Sequence, residues 1–523
     1  MIESLLTLPP TSQNHYKELD KGYYYIDFIV LLQAFMYLCR IKNPEQLSKV
    51  NPGELGRLLG IDRIPEARCL RGKIKMINAQ GKSDEWNREL ARIWVGDDEN
   101  QFYYIDGHVQ VYNGHKATLA KKYVARQKLC LPGVQEFWIN DETGMPYFYI
   151  RGQVNEKLLE MLETKIIPEI LEQMPQKYTH QELAEDRDLP RFTLVFDREG
   201  YSPVFFERIW KSYQIAVITY RKNVTSVWDD TEFEDVTVCI EGNTTTMKLA
   251  EKEVEINHVR FREVRKLSDD GHQTSVITTN RKLSIAMIAY YMFSRWCQEN
   301  FFRYMRQNYD FDKMLQYTVE QLDGNILVNH PTYSKITRQI GKTREKIARR
   351  EAKLYRLIEK EIAQDLQKEQ KKNQAHQQLL QSEIEQLQLE AEQLIQERKK
   401  YPAKVKIKDM PGHIRYNQLC GESKHFQNII KIICFRSETA FANLLTPHYK
   451  RASDEIREFV KTIIKTPINL HPDYDNNRLI VTLYSLSTPR QNYAVNEILD
   501  ILNASETKFP GTELTVFYKT TTS

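Results

Sequence analysis

Three acidic residues, Asp106, Asp197 and Glu299, stand in sequence contexts that suit metal chemistry. Asp106 closes a predicted strand in YYIDGH, and Asp197 closes the strand RFTLVFD. Glu299 lies in the middle of a predicted helix, in RWCQENFF. If the two strands are parallel neighbours, their carboxyl ends place both aspartates at one rim of a sheet, where ligands bind. A helix that leans over this rim brings the glutamate to the same point.

Three converging carboxylates repel one another unless cations neutralise them. Ligand sets made only of oxygen select hard ions, so Mg²⁺ or Mn²⁺ is the predicted cofactor. Two such ions about 3.5–4 Å apart can clamp a phosphodiester, one activating water or a 3′-hydroxyl and the other stabilising the leaving oxygen. The triad therefore predicts two-metal phosphodiester chemistry that needs no covalent nucleophile.

The segments around these acids predict an α/β core in which helices flank a mixed sheet. Strand-like segments come first, QFYYID followed at once by HVQVY, then EFWIN and MPYFYIRG, and they suit an antiparallel meander. A helix over 153–175, the strand RFTLVFD, the helix SPVFFERIWKS and the strand QIAVITYRK then alternate as βαβ units, which require parallel strands. Residues 223–280 predict a β-rich insertion, and residues 282–307 predict one long helix.

Helical and mixed segments flank this core, which spans 99–330 with its insertion. Residues 1–98 have the pattern of a helical region, with a candidate helix-turn-helix at 52–78 that could contact DNA. The alternative for this segment is a helical support layer with a solvated basic face. Residues 331–402 carry coiled-coil spacing. Their polar middle is either a turn between two antiparallel arms or a break in one rod. Residues 403–523 predict a small α+β domain.

Composition favours a polar, intracellular protein. Hydrophobic residues make up 41 % of the 523 residues, enough for a large core, and the net charge is only +4, so DNA contacts must rest on local basic clusters. No run of about 18 apolar residues predicts a membrane span. The apolar stretch 26–39 lacks the features of a signal peptide. Seven scattered cysteines, an odd number, favour free thiols in a reducing compartment.

The contexts of the first two acids resemble those of a bacterial DDE transposase of the RNase H-like superfamily. The resemblance is to the cut-and-paste type with a β insertion before the third acid, and it covers about residues 20–330 and, more loosely, the C-terminal domain. The family's first acid follows a strand and precedes a small residue, as Asp106 precedes Gly107. Its second acid ends a strand before a glycine-containing turn, as Asp197 stands before Gly200.

The helix of the third acid resembles the Tyr–Arg–Glu–Lys signature of the same family. Arg295 lies four residues before Glu299, and Arg306 lies seven after it, with arginine in place of lysine. Tyr291 is one residue further from Arg295 than the usual pattern asks. Arg295 and Glu299 are one helical turn apart and share a face. In such enzymes these basic groups resemble phosphate clamps beside the metal site.

The resemblance implies an RNase H-like fold and a DNA transposase that uses Mg²⁺ or Mn²⁺ to cleave and join strands at the ends of a mobile element. It also implies double-stranded DNA as partner, both the element ends and the target. A homodimer is expected because two ends must be brought together. The expected location is the bacterial cytoplasm, in association with the nucleoid and not with a membrane.

Further residues are candidates for DNA contacts. A basic stretch after the second strand suits phosphates, although a solvated basic helix is a near-equal alternative. Basic pairs follow the last core strand and open the Glu299 helix. Trp228, at the start of the insertion, is placed where the resemblance implies an aromatic that stacks on a flipped base, and simple packing is the favoured alternative. The candidates are Tyr291, Arg295, Arg306, Lys116, Lys121, Lys122, Arg126, Arg221, Lys222, Arg281, Lys282 and Trp228.

Two other functions compete with the transposase hypothesis. One is a catalytically inactive, transposase-derived DNA-binding or scaffolding protein, and the other is an RNase H-like nuclease without joining activity. Four acids compete with the triad for the catalytic role, namely Asp62, Asp141, Glu199 and Glu438. We treat His108 and His115 as structural, because hard-metal phosphodiester chemistry does not require histidine ligands.

Overall fold

The structure is a computed structural model. It describes residues 8–521 apart from a few short segments, which are 20–21, 98–100, 116, 153–155, 241–242, 294, 313–318, 364–366, 411–416, 420, 452 and 510–511. None of the described helices is both long and apolar enough to cross a bilayer.

A ten-stranded mixed sheet forms the centre of the molecule. Its order is β2-β3-β1-β5-β6-β10-β9-β8-β7, and β4 also pairs with β3. The strands are β1 (Phe102–Val111), β2 (Lys121–Val124), β3 (Leu129–Asn140), β4 (Pro146–Arg151), β5 (Phe192–Phe196), β6 (Ile215–Tyr220), β7 (Glu234–Ile240), β8 (Asn243–Ile256), β9 (Val259–Leu267) and β10 (Gln273–Thr278).

The middle of the sheet has the predicted arrangement of strands. β4, β3 and β1 are antiparallel, whereas β1, β5 and β6 run parallel. β5 is buried along its whole length and β6 along all but its last residue, which explains their unbroken apolar sequences. Two details differ from the predictions. β1 is one continuous strand through Val111, and the basic stretch after it forms strand β2 and a short 3₁₀ helix, Ala125–Gln127, not a helix of its own.

The predicted insertion extends this sheet. β10 pairs antiparallel with β6, and β9, β8 and β7 follow as an antiparallel meander. Residues 223–280 therefore continue the central sheet outward. Helix α10 (Ile285–Phe293) packs on β7 and β6, and its residues Ile288 and Met292 are buried there. The predicted single helix over 282–307 is wrong, since a second helix, α11 (Trp296–Tyr309), begins after Arg295.

Helices cover both faces of the sheet. On one face lies a helix that runs through a π-helical stretch, and the helix Pro203–Tyr213 packs beside it with buried Phe206 and Ile209. On the other side lies the N-terminal helical layer. The helices before α10 are α1 (Leu8–His15), α2 (Ile26–Leu38), α3 (Pro52–Leu58), α4 (Ala67–Asn78), α5 (Ser83–Gly96), α6 (Leu158–Met161), the π stretch Leu162–Ile166, α7 (Ile167–Gln173), α8 (His180–Glu185) and α9 (Pro203–Tyr213).

Two helices in the N-terminal layer occupy the candidate helix-turn-helix. Pro52 stands at the first position of α3, and the Asn51 side chain caps the helix by accepting a hydrogen bond from the Gly53 N–H. Helix α4 buries Leu70, Ile74 and Ile77 against the layer. Lys73, one of the residues on its predicted basic face, is also buried. A DNA-binding role for this segment stays a prediction.

Helix α14 (Glu422–Leu445), which lies within the C-terminal domain predicted from residue 403, packs largely with the N-terminal layer, and the domain division stays a prediction. Its first half, from Phe426 to Phe435, packs with α2, α5 and the end of α11 in one apolar cluster. Only its last turns join the C-terminal cluster. The other elements of that cluster are α15 (Ser453–Lys465), β15 (Ile468–Asp473), β16 (Arg478–Leu483), α16 (Pro489–Ala504) and β17 (Thr515–Thr520).

Two long helices form an arm between the core and α14. Helices α12 (Pro331–Ala363) and α13 (Gln367–Lys399) are antiparallel, because Arg350 pairs with Glu383 while the earlier Thr343 donates to the later Glu390 at 3.4 Å. This decides between the two predicted arrangements in favour of antiparallel arms. Short strands close the base, β12 (Leu327–Asn329) with β13 (Lys404–Lys406) and β11 (Val319–Gln321) with β14 (Asn417–Leu419).

Candidate active site

The first two predicted acids lie side by side where the β1–β5 pairing ends. The parallel register runs to Ile105 opposite Phe196, so Asp106 and Asp197 are the next residue on each strand. Neighbouring strands are about 4.8 Å apart, which brings the two carboxylates to one place. β1 itself continues past Asp106 because it stays paired with β3. The aspartate therefore ends the parallel ladder and not the strand.

One guanidinium, that of Arg295, lies among all three predicted acids. It approaches Asp106 at 3.9 Å, Asp197 at 3.8 Å and Glu299 at 3.5 Å. Its side chain is 12 % exposed, whereas those of Asp106, Asp197 and Glu299 are 29 %, 43 % and 66 % exposed. All three separations exceed hydrogen-bond length, and Nη1 is buried without a hydrogen bond to any described residue. The positive charge of Arg295 thus offsets the negative charge of the acids without a hydrogen bond to any of them.

The break between α10 and α11 determines where the third acid lies. Arg295 occupies the cap position of α11, so Glu299 falls in the first turn of that helix and not in the middle of a longer one. A carboxylate in the first turn is favoured by the positive end of the helix dipole. Asp197 also caps a short helix, by accepting a hydrogen bond from the Arg198 N–H at 2.6 Å.

The pKa of Asp106 is shifted by its surroundings. Burial raises the pKa of this carboxyl to about 6, against the lowering effect of Arg295, and the charge of Glu199 raises it further. The Gly107 N–H donates a hydrogen bond to it at 3.0 Å. A Cβ at Gly107 would meet the Gln135 side chain at 2.9 Å, so the small residue predicted here leaves room beside the acid.

A cleft of about 680 Å³ opens on Asp106 and Glu299. Its wall mixes acidic with basic side chains, and Asp197 is not among the described residues that line it. Asp312, a residue that sequence analysis missed, lies beside it and holds His108 at 2.6 Å and Arg126 at 2.7 Å. The other charged lining residues are Lys122, Arg126, Glu156, Lys157, Glu199 and Arg306.

The donor set suits a hard divalent ion, since it consists of carboxylate oxygens from three elements at one sheet rim. In the described part of the chain, no group of three acidic, histidine or cysteine side chains is close enough to hold a metal ion. Here the Arg295 guanidinium supplies the compensating charge. Joint ligation requires a shift of the exposed Glu299 carboxylate and of Arg295, for which the long contacts leave room.

Comparison with known proteins identifies the family. The model of the family Transposase_29, described as a transposase protein, matches residues 4–522. The chain belongs to this transposase family. No curated protein matches the sequence.

One solved structure that resembles the transposase is a cryo-EM structure of the piggyBac transposase synaptic complex with hairpin DNA. The TM-score is 0.32 at 8 % identity, over 58 % of the present chain. The match spans 66 % of the piggyBac chain, somewhat less than two thirds of its length. An overlap of this kind is too small to locate residues of this chain.

Three of the predicted DNA contacts of the transposase contact other protein side chains in this structure, and their role in DNA binding stays a prediction. Tyr291 is buried and stacks on Phe102 with 3.7 Å between ring centres. Trp228 is buried, and the Arg265 guanidinium covers its ring at 4.1 Å, so it cannot stack on a base in this conformation. Arg221 pairs with a fully buried carboxylate, that of Glu263.

The remaining predicted contacts divide by position. Lys122, Arg126 and Arg306 line the cleft, and burial lowers the pKa of both Lys122 and Arg306. A second group lies outside the cleft. Exposed Arg281 and Lys282 pair with Asp188 and Asp186. Exposed Lys222 lies over the Tyr201 ring, Lys121 is exposed at the sheet edge, and Lys116 lies outside the described residues.

The four acids that compete with the triad lie in different places. Glu199 lines the cleft and acts on the pKa of Asp106, so it is the one rival at the site. Asp141 accepts hydrogen bonds from Thr143 and Met145 and is a turn former. Asp62 is exposed away from the cleft. Glu438 is buried in an ion pair with Arg40. No sequence signal points to Asp312, because its partners are distant in the chain.

Proposed function

We propose that this transposase cleaves and joins DNA strands at the ends of a mobile element, with Asp106, Asp197 and Glu299 as its metal-binding triad. The observation that carries the proposal is the convergence of three acids from three elements on one guanidinium within 4 Å. Strand-end acids are commonly turn formers, and a helical glutamate beside an arginine is commonly a surface pair. A turn-forming role for the aspartates and a surface ion pair for the glutamate do not explain why all three acids lie around one arginine.

The sheet order supports an RNase H-like core in the same proposal. The strands β4, β3 and β1 form an antiparallel meander, and β5 and β6 add in parallel to β1. Asp106, where β1 leaves its pairing with β5, and Asp197, directly after β5, then share the rim where open α/β sheets bind ligands. The strands β7 to β10 are the family's proposed insertion before the third acid.

Mg²⁺ or Mn²⁺ is the proposed cofactor, held by the three carboxylates. When bound, such ions activate water or a 3′-hydroxyl and stabilise the leaving oxygen of a phosphodiester. The chain's own residues do the rest. Arg295 compensates the acids, and a nearby phosphate would take the hydrogen bonds that its buried Nη1 lacks. Lys122 and Arg306 line the adjacent cleft and would hold the DNA backbone there.

The proposed partners are double-stranded DNA, at the element ends and the target, and a second copy of the chain. Two ends must be brought together for transposition, which is the reason for proposing a dimer. We place the protein with the DNA of a bacterial cell, an assignment that depends on the family resemblance.

Calorimetric titration with Mn²⁺ tests the triad. Wild type should bind Mn²⁺ in the millimolar range or tighter, and Asp106→Asn, Asp197→Asn and Glu299→Gln should each weaken binding at least tenfold. Glu207→Gln is the matched control, because Glu207 is an acid on α9 that pairs with Lys211 away from the cleft. Nicking of supercoiled plasmid in Mn²⁺ should be lost in the same three variants. Unchanged binding and nicking in them would overturn the assignment.

The alternative function is a DNA-binding protein without catalysis. The observation in its favour is that Arg295 itself compensates the acids, so a bound metal is not required for the fold. Wild type that binds DNA but neither takes up Mn²⁺ nor nicks plasmid would support this alternative.

A further inference from the structure

One face of helix α12 carries a row of seven basic side chains. Successive members are three or four residues apart, which is the spacing of one helix face. At 3.6 residues per turn, the seven fall within about 80° of one another around the helix axis. The row consists of Lys335, Arg338, Lys342, Lys346, Arg349, Lys353 and Arg356.

These seven cations, which we call the basic row, are available to a partner. All seven are exposed. Arg349 pairs with Glu345, which borders the row, and the other six form no ion pair with a described residue. Of the two helices of the arm, α12 is the basic one. α12 has ten lysines and arginines against four glutamates, whereas α13 has five against six.

The apolar side of α12 is covered along the first half of the helix, and Ile358 near its end is the large aliphatic side chain of its described residues that is exposed. Ile336, Ile340 and Thr343 are buried, and α13 packs along this side through the contacts of Arg350 with Glu383 and of Thr343 with Glu390. A basic helix that lies on a membrane needs a free apolar face to insert among the lipids. The basic row therefore suits a partner that offers negative charge alone.

We propose that the basic row binds the phosphate backbone of duplex DNA outside the catalytic cleft. The row extends over 22 residues, from Lys335 to Arg356, and the distance between its two ends is about 32 Å along the helix. One turn of duplex DNA is about 34–36 Å, so the row matches a single turn. Contacts of this kind are made to phosphates and do not depend on sequence. The inference rests on the proposed function, since it assumes that DNA is the substrate.

The arm has a fixed base that makes it a defined binding element. Strands β12 and β13 pair immediately before α12 and after α13, and Val328, Ile407 and Met410 form a small apolar cluster there. A row of charges on such a paired-helix arm presents its cations in one line. Bound DNA would thus be held at two places, at the cleft by Lys122 and Arg306 and on the arm by the basic row.

The test compares two triple variants of equal charge in the full-length protein. The first replaces Lys342, Lys346 and Lys353 of the row with glutamine. The control replaces Arg344, Lys399 and Lys400 with glutamine. These residues are exposed basic residues of the same arm outside the row. Binding of a fluorescein-labelled 30-base-pair DNA of arbitrary sequence is measured by anisotropy at several salt concentrations. Thermal unfolding of both variants checks that the arm is intact.

Three lost phosphate contacts should reduce the slope of log affinity against log salt by about 2.7 and weaken binding at 0.1 M salt at least tenfold. The control should bind within about twofold of wild type. A row variant that binds like the control overturns the inference, as does one that loses binding to vesicles of anionic phospholipid or to duplex RNA but not to DNA. If wild type nicks plasmid while the row proves irrelevant, only this inference fails. If wild type binds no DNA, the proposed function fails as well.

Discussion

Substituting Glu438 with glutamine should destabilise the protein, because this buried carboxylate is shared by three partners. Glu438 lies on α14, pairs with Arg40 at 2.7 Å and accepts hydrogen bonds from Tyr304 at 2.9 Å and Tyr309 at 2.7 Å. Both tyrosines lie on α11, the helix of Glu299, and burial raises the pKa of each, so they remain donors at neutral pH. The carboxylate thus connects the helical layer to the helix of the third acid.

The expected loss is about 3 kcal/mol in the free energy of unfolding. Removing one partner of a buried ion pair costs about 3–5 kcal/mol, because the other charge stays buried without compensation. Glutamine retains an oxygen that still accepts from a tyrosine, which places the loss at the lower end of that range. The double variant Arg40→Met/Glu438→Gln should be less destabilised than Glu438→Gln alone, because no unpaired cation remains.

Urea titration followed by tryptophan fluorescence measures these free energies, since Trp86 and Trp138 are buried in the same apolar cluster as α14. The control is Glu458→Gln, an exposed residue paired with Lys461 on α15, which should change stability by no more than about 0.5 kcal/mol. A loss below about 1 kcal/mol for Glu438→Gln would refute the reasoning. So would a double variant less stable than the single one.

Three other predictions follow from contacts in the structure. Trp228→Ala should lower the free energy of unfolding by about 3–5 kcal/mol, because the ring is buried against Arg265, whereas weaker DNA binding at unchanged stability would favour the base-stacking role. Burial lowers the pKa of Lys424 to about 8, so the unfolded chain holds the extra proton above that pH. Wild type should therefore gain stability relative to Lys424→Met between about pH 8 and 10, and parallel pH profiles in urea titrations would contradict this. Burial raises the pKa of Asp312, but the hydrogen bond with His108 and the charges of Arg126 and Arg306 outweigh it, leaving the pKa below its ordinary value. In thermal unfolding, wild type should be more stable than Asp312→Asn above about pH 4, and this difference should shrink as the pH falls to 3. A difference that stays constant over this pH range would contradict the prediction.

Sequence alone determined the local elements and the order of the central strands. The unbroken apolar runs of β5 and β6 indicate burial on both faces, and burial on both faces requires a parallel sheet covered by helices. The RNase H-like order of strands predicted that the strands of Asp106 and Asp197 are parallel neighbours, as they are in the structure. Seven-residue spacing in α12 and α13 indicated packed helices. In each case the periodicity of apolar residues indicates which side of an element is buried, and this pattern is set by residues close together in the sequence.

Tertiary structure decided which partner covers each buried side. Residues 422–445 have an apolar pattern that suits either a small C-terminal domain or the N-terminal layer, and only the contacts with α2 and α5 select the layer. Tyr291 lies one residue from the position of a DNA contact in the family signature, yet it stacks on Phe102 because α10 packs on that face of the sheet. The meeting of Arg295 with three acids joins positions almost 200 residues apart. Such contacts depend on how whole elements pack, and the spacing of residues along the chain does not determine this packing.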